Sequence, residues 1–89
     1  MEAITRHAAA RMQQRGISSC ILEALMTCGS ETHDHRGATI LYFDKRAQAR
    51  VQKQFSIQLF TKMEGHLNTY AVIGDNGAVL TVGDRKSVV

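Results

Sequence analysis

Proline is missing altogether from the 89 residues, although that absence by itself selects no architecture. More decisive is the lack of any apolar run approaching the ~18 residues that a membrane span needs, which removes the membrane-spanning helix class. The N-terminus also lacks the charged-then-apolar layout of a signal peptide. No low-complexity tract, internal repeat or linker interrupts the chain, so a single domain over 1–89 is expected. There are only two cysteines, Cys20 and Cys28. Their surroundings put both on one helix, roughly 12 Å apart along its axis, beyond the ~7 Å Cα separation that a disulfide tolerates. Reduced thiols and a cytoplasmic location follow as expectations.

A strong excess of charge of one sign is lacking too. Eleven basic residues stand against eight acidic ones, for a net charge of +3. That permits a polyanion such as nucleic acid as partner without demanding one, since dedicated binders carry a denser basic stripe. The apolar share of 44% with 21% charged residues excludes the disordered class. A chain this short buries only about 60–65% of its unfolded surface, which leaves it marginally stable or sharing stability with a partner subunit.

What is present reads as an α+β chain. Thr5 can cap a helix over 5–15 in which Ile4, Ala8 and Met12 recur every four residues as the apolar stripe. Gly16 then supplies a left-handed C-terminal cap. Ser18 or Ser19 caps a second helix, with Ile21, Leu22, Leu25 and Met26 as its buried face and Gly29 at its end. The β-branched and aromatic segment 38–43 is expected to be the first strand, with Ile40 and Tyr42 on one side and Leu41 and Phe43 on the other. Asp44 is a cap for a third helix. The spacing of Ala47, Val51, Phe55, Leu59 and Met63 favours one long helix to about residue 64, ended by Gly65. Phe55, Ile57 and Leu59 also alternate with polar residues, so a strand there remains open. Segments 70–73 and 79–82 flank Asp75-Asn76-Gly77, whose Asn-Gly pair suits a hairpin turn with positive φ angles. The expected architecture is two N-terminal helices, a third helix after the first strand, and a small, largely antiparallel sheet with a C-terminal hairpin.

Several side chains could carry chemistry. His7, Arg11 and Arg15 stand at i, i+4 and i+8, drifting only about 40° per step, and so form one polar stripe bordering the buried face. Two guanidiniums there can clamp a phosphate, and an imidazole can trade protons at neutral pH. Spacing alone reads first as a solvated helix face, since arginines at helical spacing are common. Before the expected first strand lies His33-Asp34-His35-Arg36. In an extended segment His33 and His35 point to one side, as metal ligands would, but no further ligand spacing closes a site. The cluster reads instead as a polar loop or anion contact, with Arg36 beside Gly37 best suited to a ligand. Tyr42 reads first as a half-buried sheet residue, and Arg46, Arg50 and Lys53 as the solvated side of the third helix. On a regular terminal strand Thr81 shares a face with Val79 and Gly83, and Asp84-Arg85-Lys86 follows, where a hydroxyl and a guanidinium can bind phosphate.

The run His7-Ala8-x-x-Arg11-Met12-x-x-Arg15-Gly16-Ile17-Ser18 resembles the N-terminal signature of the bacterial domain-of-unknown-function family 4258. Gly29 and the terminal Val79-Leu80-Thr81-Val82 with Arg85 fit the layout of that family. The family is in turn similar to the RelE- and BrnT-like ribonuclease toxins, a small α+β group that also includes barnase- and EndoU-like nucleases. The resemblance implies RNA lying against the sheet and cleaved by 2′-hydroxyl attack without a metal or other cofactor. It also implies an antitoxin-like protein as a possible class of partner. Carried onto this chain, the catalytic positions are His7, Arg11, Arg15, Thr81 and Arg85; the reading of the residues themselves adds His35, Arg36 and Tyr42 as expected substrate contacts. The competing reading is a non-catalytic protein that forms a homo-oligomer or docks on a partner, the apolar Val88-Val89 tail completing an interface.

Overall fold

Three hydroxyl or carboxylate caps start the helices at the points marked in the sequence. In the computed structural model, which describes residues 4–84, Thr5 Oγ1 accepts from Ala8 N at the head of α1 (Arg6–Arg15). Ser18 Oγ does the same for Ile21 N at α2 (Ser19–Cys28). Asp44 Oδ1 accepts from Ala47 N at 2.8 Å to open α3 (Lys45–Gln54). Each cap satisfies a donor that the first helical turn leaves unpaired. Gly16 ends α1 at φ 66°, as its lack of a side chain permits. Both cysteines lie on α2 as free thiols, Cys28 buried and Cys20 half-buried.

The remaining elements are β1 (Ser30–His33), β2 (Thr39–Tyr42), α4 (Ile57–Met63), a 3-10 turn (Glu64–His66), β3 (Thr69–Ile73) and β4 (Val79–Asp84). The strands form one antiparallel sheet in the order β1-β2-β3-β4. This is the expected α+β architecture with its C-terminal hairpin. No helix among the described residues is long and apolar enough to cross a membrane.

Three details depart from the sequence expectation. First, the helix expected to run to residue 64 breaks at Phe55, which is extended (φ −115°, ψ 155°). Ser56 then caps a new helix by accepting from Leu59 N, so the segment after the break is helical, not a strand. Second, an additional strand, β1, precedes 38–43. The segment expected to be a loop before the first strand is therefore the turn of a β1–β2 hairpin. Third, Asn76 does not adopt positive φ; only Gly77 does, at 84°. Gly77 N donates to Gly74 O and Gly74 N to Ala78 O. That is a turn of ordinary hand closed by a left-handed glycine, the three-residue alternative to the expected mirror-image turn. Gly37, at φ 85°, plays the same part in the first hairpin.

One face of the sheet carries the core. Leu41, Ala71 and Val82 are aligned across β2, β3 and β4 and are buried together with Ile21, Leu22 and Leu25 of α2 and Ala47 and Val51 of α3. Arg50 lies on the exposed side of α3, as expected, and is also tied into this framework. Its Nε donates to Cys28 O at 2.9 Å and its Nη2 to Ser30 Oγ at 3.2 Å, tying α3 to the junction of α2 and β1. The opposite face of the sheet carries Ile40, Tyr42, Tyr70, Val72 and Thr81, all half-buried.

Candidate functional site

α1 is anchored along β4 by its first residues. Ile4 pairs with Val79 in parallel sense, Thr5 N donates to Val79 O at 3.1 Å, and Thr5 Oγ1 donates to Leu80 O at 3.1 Å. From that start the helix advances ~1.5 Å per residue and the strand ~3.4 Å. The ten residues of α1, about 15 Å, therefore run along most of the six of β4, about 20 Å. Farther along, Arg11 Nε donates to Val82 O at 3.5 Å, and Arg15 Nη1 lies 3.9 Å from Asp84 Oδ2. The helix thus covers carbonyls that an edge strand would leave unpaired. His7 stands exposed one turn before Arg11.

The stripe expected from spacing is real as a surface feature, and it flanks the strand that bears Thr81. Thr81 is half-buried opposite Val72, on the face away from the helices. It does not share that face with Val79. The ladder shifts register between Val72 and Ile73, leaving Leu80 as the extra residue, so Val79 turns into the core and is fully buried. Gly83 does lie on the Thr81 side, opposite Tyr70. The tyrosine ring occupies the space above it, since a Cβ at Gly83 would stand 2.9 Å from Tyr70 Oη. Tyr42 is the next residue in this row, the register partner of Tyr70.

His35 and Arg36 are not brought to this place. They sit in the β1–β2 turn, two to three strand spacings (~10–14 Å) from β4. There Asp34 Oδ1 accepts from Arg36 N at 2.8 Å and Ala38 N at 2.9 Å. Those two N–H groups, Ala38 first, hold the Asp34 carboxyl below its ordinary range. The chain turns at Asp34, so His33 and His35 do not form the extended same-side pair; His33 Nδ1 lies 3.3 Å from Thr39 Oγ1 instead. Among the described residues no group of three or more His, Cys, Asp or Glu side chains is placed to hold a metal ion. Arg85, Lys86, Val88 and Val89 lie outside the described residues.

The structure sets Asp84, already noted at the end of the terminal strand, against Arg15. It adds Tyr70, which spacing did not single out and which joins Tyr42 on the open face. Gly83 carried a signal that could have found the Tyr70 contact, because a glycine inside a strand marks close approach of another group. An open groove of about 590 Å³ lies between α2 and the Ile4–Val79 bridge, lined by Leu22, Glu23 and Met26 among others, and none of the expected site residues among the described ones lines it. No protein-family model, no curated protein and no solved structure matches this chain.

Proposed function

We propose that this chain is a metal-independent endoribonuclease of the ribonuclease-toxin kind, working at the junction of α1 and β4. One observation supports this reading above the others. His7 and Thr81, 74 positions apart in sequence, are carried on two elements that run side by side, with Arg11 and Arg15 continuing the same edge. In the proposed reaction His7 takes the proton from a ribose 2′-hydroxyl, and that oxygen attacks the adjacent phosphorus. The bond from phosphorus to the 5′-oxygen breaks, and the leaving oxygen takes up a proton. A 2′,3′-cyclic phosphate and a 5′-hydroxyl result. Arg11, Arg15 and Arg85 neutralise the charge that grows on the phosphoryl oxygens, and Thr81 positions the group.

The intramolecular contacts of the two arginines are weak enough to yield to a phosphate. The Arg15–Asp84 pair is at the outer limit of distance, with both side chains more than one third exposed, where an ion pair contributes little. Arg11 uses only Nε, at 3.5 Å. The same contacts support the second reading, a non-catalytic homo-oligomeric or partner-binding protein, because they give each guanidinium a structural task. Incubating the purified protein with single-stranded RNA in EDTA separates the two. Cleavage to cyclic phosphate ends is expected. It should fall about 10²–10⁴-fold in His7→Ala with an unchanged circular dichroism spectrum, and vanish on a 2′-deoxy substrate. No cleavage of any RNA refutes the proposal, as does cleavage that His7→Ala leaves intact.

A further inference from the structure

The two edges of the sheet differ. α1 covers β4, whereas β1 ends the sheet on the other side, and its Glu31, Thr32 and His33 are exposed. Among the described residues no strand pairs with its outer edge. The direction of its backbone groups follows from one bond. Asp34 N donates to Ala38 O at 2.9 Å, so the backbone of Asp34 is aimed at β2. Along an antiparallel strand successive residues aim at opposite neighbours. Thr32 and Ser30 therefore also aim at β2, and the N–H and C=O of Glu31 and His33 point outward.

We propose that this edge docks a second copy of the chain, β1 against β1 in antiparallel register centred on Thr32, so that two four-stranded sheets become one. In that register Glu31 stands directly opposite the partner's His33, and His33 opposite the partner's Glu31. Each of these pairs exchanges both outward N–H···O=C bonds. Their side chains share a face at a Cβ separation of about 5 Å, an acceptor carboxylate facing an imidazole that can donate. The neighbouring registers are worse. Centring on Glu31 sets carboxylate against carboxylate, and centring on His33 runs the strand into the turn at Asp34. A shift by one residue sets an outward-pointing residue against an inward-pointing one, and those bonds are lost. A ladder of four residues buries less than the ~1,000 Å² of a standing interface, so the association belongs in the micromolar-to-millimolar range. It uses neither α1 nor β4 and is independent of the ribonuclease reading.

Sedimentation equilibrium of the full chain between about 10 μM and 1 mM tests it. The wild type is expected to shift from monomer toward dimer across that range. Glu31→Pro removes an outward N–H that β2 does not use, and edge strands accept proline. This variant should keep its circular dichroism spectrum and stay monomeric. If it fails to fold, Glu31→Lys leaves the backbone intact while setting a cation against the partner's His33. It should weaken the dimer about fivefold, and adding His33→Glu should restore it. A wild type monomeric at 1 mM overturns the proposal. So does a dimer that survives Glu31→Pro with its spectrum unchanged, or one that is indifferent to Glu31→Lys.

Discussion

Thr69 opens β3 fully buried, and its Oγ1 finds no hydrogen-bond partner among the described residues. A hydroxyl taken out of water without compensation costs about 1–3 kcal/mol. Valine has the same branched shape, satisfies the strand's preference for β-branched side chains, and puts a methyl group where the orphan oxygen stands. Burying that methyl contributes up to about 0.8 kcal/mol of transfer free energy. Thr69→Val should therefore stabilise the protein by about 1–2 kcal/mol, after discounting for compactness of the unfolded chain. In a chain of 89 residues each kcal/mol moves Tm by about 4–8 °C, so a rise of about 4–16 °C is expected. The urea midpoint should climb by about 0.5–1 M at unchanged slope. Thr69→Ser is the control. It keeps the hydroxyl, removes the methyl and should destabilise by about 1 kcal/mol. A fall in Tm for Thr69→Val would show that Oγ1 makes a bond worth keeping, and the reasoning would fail.

Two further outcomes follow from the thiols and from a cap. Cys28 is buried, and burial raises its thiol pKa, with the Arg50 charge opposing the shift; iodoacetamide should modify Cys20 alone in the native protein and both residues in urea, read by mass spectrometry. Asp44 is held below the ordinary carboxylate range by the Ser30 hydroxyl first and the Ala47 N–H next. A carboxylate depressed in the folded state stabilises above its unfolded pKa, and that contribution is lost as pH falls through the folded value. Asp44→Asn should therefore lower the urea midpoint at pH 7 and flatten its decline below about pH 4, and equal declines in both proteins would contradict the assignment.

What the sequence disclosed was local. The caps at Thr5, Ser18 and Asp44 and the punctuation at Gly16 and Gly77 depend on neighbours within a few residues, so they can be read from the chain. β1 could not be. Ser30-Glu31-Thr32-His33 has no apolar residue, and its strand state comes from pairing with β2, whose partners lie six to twelve positions onward. The break between α3 and α4 was hidden for a different reason. Val51, Phe55, Leu59 and Met63 keep their four-residue period straight through it, so hydrophobic spacing argued for continuity. The alternation of Phe55, Ile57 and Leu59 pointed to a strand instead, and the signal for a new helix start was a capping serine at 56. Likewise the stripe of His7, Arg11 and Arg15 was legible as a face, whereas its neighbours Val82 and Asp84 come from the other end of the chain.

Those distant neighbours decide what α1 owes to its arginines. The helix is held at its head by the Ile4–Val79 bridge and by two hydrogen bonds from Thr5 to β4, each 3.1 Å long. Ala8 on α1 and Ile17 just beyond it are buried in the core. The arginine contacts at 3.5 Å and 3.9 Å are the weakest links between the two elements, so the position of α1 does not depend on them. A side chain that anchors its element cannot also move to meet a ligand without disturbing the fold. Here anchoring falls to Thr5, Ala8 and Ile17. That division leaves His7, Arg11 and Arg15 as a polar edge on a fixed helix, alongside a strand whose Thr81 faces away from the core.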